Sequence, residues 1–352
     1  MTALADVIAR ITAPDPRVAE ATQARLDDKT KPRRSLGRLE DLACQVAAIR
    51  GTPELAPPIK AIVVFGADHG VAAEGVSAFP QEVTRQMLLN FARGGAAINV
   101  LARQAGARVV VVDMGVVAGL PDEPEIRAHR IGPGTRSFAR GPAMTRNEAI
   151  AALEAGAAIA AELAAEGVTL LGAGEMGIAN TTSASAIAAV LTGVSIEDVT
   201  GRGTGIDDAA LAHKRAVIAQ AIALNAPDAG DPLDVLAKLG GFELAGIAGL
   251  VLGAAAARVP VVIDGFICST AALLAARLAP AAAGALIASH RSVEIGHRAV
   301  LAALGAEPLF DLELRLGEGS GAALAMPLVD AALAVLREMA TFSSAGVSDR
   351  DG

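Results

Sequence analysis

The sequence predicts an α/β fold in which a doubly wound parallel sheet carries a smaller helical domain built from both chain ends. Continuous apolar, β-branched runs alternate with long alanine-rich segments, as strands and helices do in such sheets. The chain has 352 residues, 53% of them hydrophobic, which is ample for a large core. Residues 1–58 and 290–352 contain no strand-like run and are expected to pack together as the helical domain.

Five runs are predicted to form buried parallel strands: residues 61–65, 109–112, 168–171, 259–263 and 285–288. A sixth candidate, residues 125–131, is more polar. Helical segments such as 149–166 and 207–225 separate them. The fold is thus Rossmann-like, with residues 59–289 as the α/β domain, and its ligands are expected beyond the carboxyl ends of the strands.

Composition argues against two classes of partner. The net charge is −8, aromatic residues make up 2%, and Trp and Tyr are absent, so no nucleic-acid partner is expected. The longest uncharged apolar run, residues 244–257, is shorter than the ~20 residues that span a membrane. The first residues lack the basic and apolar regions of a signal peptide. A soluble cytoplasmic protein without a membrane partner is expected.

The cysteines and histidines predict no metal site. Cys44 and Cys268 are far apart and are typical of idle thiols in a reducing cytosol. None of the five histidines has the spacing of a zinc motif. His290 and His297, seven residues apart on a predicted helix, would share a face, but no third ligand is evident.

The most informative segment is residues 172–185, GAGEMGIANTTSAS, which reads as strand, glycine loop and helix. Glycines let the backbone approach a ligand, and free N–H groups at a helix start favour an anion, most often a phosphate. The loop also carries a carboxylate, Glu175. We expect chemistry on a phosphorylated sugar.

The same segment contains a dinucleotide fingerprint, GxGxxG, at Gly172, Gly174 and Gly177. That fingerprint also needs an acidic residue about 20 positions later, at the end of a second strand. Glu197 and Asp198 have this spacing but lie in a polar turn. A dinucleotide-dependent oxidoreductase is therefore the weaker hypothesis.

A second glycine loop, residues 201–208, opens a helix that carries His213 and Lys214. Its backbone donors and the Lys214 cation suit a phosphate. The alternative is an ordinary turn in which Asp207 or Asp208 caps the helix. Two such loops in one sheet favour the phosphate interpretation.

Three glycines surround one carboxylate, Glu318, in residues 317–321, a segment that we call the elbow. So many glycines are costly in backbone entropy, and they are expected to hold Glu318 exposed with no bulky neighbour. Glu318 is then either a general base or an acidic helix N-cap.

Other segments leave their role open. The basic residues 31–40 favour a solvated helix start. Asp68 and His69, after the first strand, are equally suited to capping a helix and to binding a ribose. Phe79, Met87 and Leu88 could line a flat slot for an aromatic ring or could belong to the core. The predicted strand ends also carry Asp113, Asp264 and His290.

A series of blocks, in this order, resembles the nicotinate-nucleotide–dimethylbenzimidazole phosphoribosyltransferases, which make the lower-ligand nucleotide of cobalamin. The blocks are KPRRSLGRLEDLA, FGADHGV with VSAFPQEVT, GGAAINVLARQAGA, VVDMGV, GAGEMGIANTTSASA, GRGTGIDD, GGFELAGIAG, VVIDGFI, ASHRSVE and LRLGEGSGAALAM. They span nearly the whole chain. Arg34 stands where the family often has the first Gly of GSLG. Phe79 stands where a Tyr is familiar, so a hydroxyl contact is absent.

The resemblance implies transfer of the 5-phosphoribosyl group from nicotinate mononucleotide to 5,6-dimethylbenzimidazole. The products are α-ribazole 5′-phosphate and nicotinate, with inversion at the anomeric carbon. It also implies a homodimer acting on small molecules. No metal or cofactor is required, because the leaving group and the nucleophile both arrive activated. A non-catalytic nucleotide or nucleobase carrier stays an alternative, although a carrier needs no carboxylate at position 318.

The resemblance also assigns roles to residues. Glu318, in the C-terminal helical segment, accepts the proton of the attacking base, and Glu175 stabilises the sugar's developing charge or holds its hydroxyls. The 5′-phosphate is expected against the backbone donors of Gly177, Ile178 and Asn180 and at Gly203 and Lys214, with Ser292 nearby. The base slot is expected at Phe79, Gln86 and Met87.

Overall fold

The predicted α/β fold is confirmed by the structure, a computed structural model that describes residues 3–121, 123–203 and 205–348. Six parallel strands form one sheet in the order β3-β2-β1-β4-β5-β6. The strands are β1 Lys60–Ala67, β2 Ala107–Gly115, β3 Ile126–Ala128, β4 Leu170–Met176, β5 Val261–Ile263 and β6 Leu286–Ala288.

Helices cover both faces of the sheet. In chain order they are α1 Leu4–Ala9, α2 Pro16–Asp27, α3 Arg38–Arg50, α4 Glu82–Ala92, α5 Ala97–Ala105, α6 Arg146–Ala165, α7 Asn180–Thr192, α8 Ile196–Val199, α9 Asp208–Asn225, α10 Pro232–Leu239, α11 Phe242–Ala256, α12 Phe266–Leu278, α13 Gly296–Leu304, α14 Ser320–Glu338 and α15 Phe342–Ala345. Two 3₁₀ turns lie at Gly70–Glu74 and Pro280–Ala285.

Two hydrophobic cores, one on each side of the sheet, explain the continuous apolar strands. Val63 and Phe65 of β1 face the core that includes α6, α11 and α12, whereas Ile62 and Val64 face α3, α5 and α14. Successive strand residues point to opposite faces, so a strand buried on both sides must be apolar throughout. The polar sixth candidate forms only the short edge strand β3.

The predicted glycine loop at residues 172–176 is wrong, because these residues belong to β4 and only residues 177–179 separate it from α7. Gly172 and Gly174 therefore lie inside a strand. A Cβ at Gly172 would approach Ile62 and Met326 to 3.0 Å. The glycines at these positions allow close packing, and they do not form a dinucleotide turn.

Helices from the two chain ends contact each other, as expected, but they also pack on the sheet. Helix α14 touches α2 and α3 as well as β4 and β5, and α1 packs against α6 and α11. In the described part of the chain, α14 is the one helix long and apolar enough to cross a membrane, yet 56% of that stretch is buried, as in a core helix. The division at residues 58 and 290 stays a prediction.

The solvated helix start expected at residues 31–40 holds for its three arginines, which are exposed, but not for Lys31. Lys31 Nζ lies 2.8 Å from Glu40 Oε1, and the two side chains are 6% and 0% exposed. Gln23 also donates a hydrogen bond to Glu40, at 2.9 Å. This buried ion pair joins α2, α3 and the segment between them, so its role is structural.

Candidate active site

A cavity of about 430 Å³ opens at the carboxyl ends of β4, β5 and β6, where the fold predicts ligands to bind. It brings together residues that are distant in sequence. All but one of the predicted site residues line it: Phe79, Met87, Glu175, Gly177, Ile178, Asn180, Gly203, Lys214, Ser292 and Glu318.

Gln86 is the exception, because it is exposed on α4 and does not line the cavity. Val83 and Met87, four residues apart, share the helix face that lines the cavity. Phe79 lines the cavity as well and is 51% exposed, so it is not a core residue. Helical spacing therefore places Gln86 on a different face of α4 from Met87.

The expectation that Glu318 is exposed is wrong, since its residue exposure is 7%. Its Oε2 accepts a hydrogen bond from the Ile98 N–H at 3.3 Å, and burial raises the pKa of its carboxyl. Glu318 is not a helix cap either, because α14 begins at Ser320 with Gly319 at the N-cap. The acid is thus held inside the cavity wall.

The backbone of the elbow follows a sparsely populated path. Gly317, Glu318 and Gly319 have φ angles of 82°, 64° and 91°, all in the left-handed region that glycine tolerates best. A Cβ at Gly174 would lie 2.4 Å from the Glu318 carbonyl oxygen, and one at Gly319 would lie 2.8 Å from Ile62 Cγ2. The glycines of β4 and of the elbow therefore allow the two backbones to pack directly together.

Glu175, at the end of β4, is 6% exposed and accepts a hydrogen bond from the Asn180 side-chain amide. Burial raises its pKa to about 8, with Asp264 and Glu243 adding to the rise, while the bonds from Asn180 and the Glu318 N–H oppose it. Near pH 7 this raised pKa favours the neutral acid form of Glu175. In that state it suits hydroxyl groups better than a developing cation.

Lys214 is the buried cation of the cavity, with 1% exposure. Its Nζ donates to Thr181 Oγ1 at 2.9 Å, and burial lowers its pKa to about 8 against the opposing charge of Glu294. Gly203, with a φ of 52°, lies beside it. Thr204, in the same predicted loop, lies outside the described residues.

Two of the predicted backbone donors are already used within the chain. The Ile178 N–H donates to Thr84 Oγ1 at 3.1 Å, and the Asn180 N–H donates to the Gly177 carbonyl at 3.0 Å. Their prediction as free phosphate donors is wrong for this structure. The Ser292 N–H is used as well, by His297 Nδ1 at 2.9 Å.

Asp68 and His69 lie behind the cavity and hold loops in place. Asp68 Oδ2 accepts the Val117 N–H at 2.8 Å, and His69 Nε2 lies 2.5 Å from Glu243 Oε1 with both side chains buried. Neither residue lines the cavity. The structure thus favours a structural role for this strand end.

Sequence reasoning gave no role to several residues that line the cavity, among them Asp264, His290, Glu294 and Arg315. Asp264 and His290 had one available signal, their position directly after a strand. His290 follows β6 and lies outside α13, so it does not share a helix with His297. Glu294 and Arg315 had no comparable signal.

Comparison with known proteins agrees with this geometry. A family model described as phosphoribosyltransferase matches residues 11–347. The chain belongs to this family. It is a phosphoribosyltransferase, and the first two fingerprint glycines, which lie inside β4, do not support the dinucleotide oxidoreductase.

Two curated relatives of this phosphoribosyltransferase carry the name nicotinate-nucleotide–dimethylbenzimidazole phosphoribosyltransferase. The protein of Geobacter metallireducens is 56% identical over 347 residues, which cover 99% of this chain and 98% of the relative. That of Roseiflexus sp. strain RS-1 is 58% identical over 352 residues, covering 99% of each chain.

Solved structures show the same fold. A crystal structure of CobT from Thermus thermophilus matches with a TM-score of 0.90 and 51% identity, covering 95% of this chain and 99% of that one. A structure named as the nicotinate-nucleotide–dimethylbenzimidazole phosphoribosyltransferase of the same organism matches with a TM-score of 0.89 and 50% identity, with the same coverage of both chains.

Proposed function

We propose that this phosphoribosyltransferase transfers the 5-phosphoribosyl group of nicotinate mononucleotide to 5,6-dimethylbenzimidazole, releasing nicotinate and α-ribazole 5′-phosphate. The relatives that match over the full chain are named for these two substrates. The observation that carries the proposal is a buried carboxylate, Glu318, in one cavity with an apolar wall and a buried lysine, Lys214.

The reaction needs one proton acceptor. The benzimidazole nitrogen that lacks a proton attacks the anomeric carbon, and the bond to nicotinate breaks with its electron pair returning to the pyridine nitrogen. The other benzimidazole nitrogen then loses its proton to the Glu318 carboxylate. Nicotinate leaves as a neutral pyridine ring, so no general acid is required. Attack from the face opposite nicotinate inverts the β configuration to α.

The phosphate end is proposed to lie at Lys214, Gly203 and Ser292. A phosphate dianion beside Lys214 favours the charged form of the lysine, whose pKa burial has lowered. The N–H groups of Ile178 and Asn180 are engaged elsewhere, so their residues contribute shape to the site. Gly177 lets the loop after β4 pack tightly against β1, since a Cβ there would lie 2.8 Å from the Ala67 carbonyl oxygen.

The base slot is proposed between Phe79, Met87 and Leu316. Phe79 and Leu316 are 51% and 54% exposed at the cavity mouth, and a planar aromatic ring would cover both. Burying such apolar surface favours binding by roughly 25 cal/mol per Å² removed from water. Glu175, when neutral, is proposed to hold ribose hydroxyls.

The protein is also proposed to act as a cytoplasmic homodimer, as its resemblance to the family implies. Light scattering coupled to size exclusion tests the dimer, and a mass of one chain at assay concentrations would contradict it.

The deciding experiment mixes the protein with nicotinate mononucleotide and dimethylbenzimidazole and follows nicotinate by chromatography. The anomeric configuration of the product is read by NMR. We expect nicotinate and an α-ribosyl product in equal amounts, whereas a carrier would bind both compounds and release none. Folded protein that produces no nicotinate would falsify the proposal.

A further inference from the structure

Asp264 stands directly after β5 and is bonded to the backbone of the elbow and of the first turn of α14. Its Oδ2 accepts the Gly319 N–H at 3.1 Å, and its Oδ1 accepts the N–H groups of Gly321 at 2.7 Å and Ala322 at 3.3 Å. Asp264 is 1% exposed. One buried carboxylate therefore anchors three of the four backbone N–H groups that immediately follow Glu318.

This contact replaces a local helix cap. Helix α14 has Gly319 at its N-cap and no side-chain cap of its own. The first N–H groups of a helix need acceptors, and a carboxylate there also interacts favourably with the helix dipole. Asp264 supplies that acceptor from a neighbouring strand, so the start of α14 is fixed relative to the sheet.

The other side of Glu318 is held as well. A Cβ at Gly317 would lie 2.2 Å from Glu175 Oε1, so the side chain at the end of β4 packs directly against the residue before Glu318. A Cβ at Gly321 would lie 2.8 Å from Asp264 Oδ1 and 2.0 Å from His290 Nδ1, so the elbow lies directly against these side chains. The strand-end side chains of Asp264 and Glu175 thus enclose a segment whose left-handed φ angles are unfavourable without such support.

We propose that Asp264 is a positioning residue for phosphoribosyl transfer, holding the elbow so that the Glu318 carboxylate meets the N–H of the bound base. The proposal rests on the proposed function and deepens it. Asp264 acts through the elbow backbone, because both of its oxygens are engaged there. Catalysis is sensitive to this geometry, since displacing a reacting group by about 1 Å can slow a reaction by roughly 10²-fold.

The test compares Asp264→Asn with a matched control, Asp113→Asn. Asp113 is also a buried aspartate at the end of a strand, 2% exposed, and its Oδ1 accepts the N–H groups of Gly115 at 2.9 Å and Val116 at 3.0 Å. It does not line the cavity. We expect Asp264→Asn to lower kcat by roughly 10- to 100-fold with less than about a threefold change in KM for nicotinate mononucleotide. Asp113→Asn is expected to lose stability and keep kcat within about threefold of the unmodified protein.

A double-mutant cycle separates positioning from general damage. If Asp264 acts through Glu318, adding Asp264→Asn to Glu318→Gln should lower kcat little further than Glu318→Gln alone does. If the decreases in kcat of the two single variants multiply in the double variant, the proposal is overturned. An unchanged kcat in Asp264→Asn would also overturn it. A rise confined to KM would overturn it too, because it would mean that Asp264 contacts the nucleotide directly.

Two further measurements keep the outcome clear. If Asp264→Asn does not fold, Asp264→Ser retains one acceptor and is held to the same expectations. Amide hydrogen exchange should be faster at residues 319–322 in the folded variant and unchanged in Asp113→Asn; equal protection there would also contradict the proposal. Failure of the unmodified protein to release nicotinate would instead refute the proposed function.

Discussion

Replacing Gly174 with alanine should push the elbow away from the sheet without changing a charged or polar side chain. The added Cβ would lie 2.4 Å from the Glu318 carbonyl oxygen, 2.7 Å from its carbonyl carbon and 2.8 Å from the Gly319 nitrogen. Ordinary contact begins at 3.4 Å, so the elbow must retreat by about 1 Å. Because the obstacles are backbone atoms, no side-chain rotation can relieve them.

A shift of that size should lower kcat by roughly 10²-fold, since Glu318 would no longer meet the N–H of the base. Overpacking should also cost about 1–3 kcal/mol of stability. The assay is the initial rate of nicotinate release at saturating substrates, with urea unfolding as the measure of stability.

Gly172→Ala is the matched control, because it lies on the same strand and meets side chains of Ile62 and Met326, which can move. It is expected to keep kcat within about threefold of the unmodified protein. Equal kcat values for Gly174→Ala and the unmodified protein would refute the claim that this glycine positions the elbow.

Three other perturbations test separate parts of the account. Lys214→Ala should raise KM for nicotinate mononucleotide more than it lowers kcat, as steady-state kinetics will show; an unchanged KM would remove Lys214 from the phosphate site. Lys31→Ala should cost about 3–5 kcal/mol in urea unfolding, because it leaves Glu40 buried and unpaired, and a cost below about 1 kcal/mol would mean that the pair is not buried in solution. Glu175→Gln should become more stable relative to the unmodified protein as the pH rises from 5 to 8. Burial raises the pKa of Glu175 to about 8, so the unmodified protein loses stability over this range, in which the unfolded chain releases a proton that the folded chain keeps. Thermal unfolding at pH 5 and pH 8 measures the difference in stability between the two proteins, and an equal difference at both pH values would contradict the prediction.

The sheet could be predicted from the sequence because the signal for each strand is local. A strand buried on both faces is a continuous apolar run, and this holds for β1 and β2 regardless of their neighbours. Residues 172–176 were wrongly predicted to form a loop, because glycines usually indicate one. Their place in β4 depends on the elbow, which is more than a hundred residues away in sequence and needs room for its backbone.

The candidate site could be predicted where a glycine motif marks it, at the end of β4 for Glu175 and at the start of α9 for Lys214. It could not be predicted where the partner is distant. Nothing near Asp264 in the sequence indicates that it would cap α14. Gln86 was misplaced for a different reason, since a stretch of helix contributes only one face to a cavity.

The most direct test of the central claim is the pH profile of nicotinate release for the unmodified protein and for Glu318→Gln. A general base must be ionised, and burial raises the pKa of Glu318 above its usual 4.5. The rate of the unmodified protein should therefore fall on the acid side with an apparent pKa above that value. Glu318→Gln should be slower by roughly 10²–10⁴-fold and should lack this acid limb. A glutamine variant that releases nicotinate at the unmodified rate, or that keeps the same acid limb, would contradict the account.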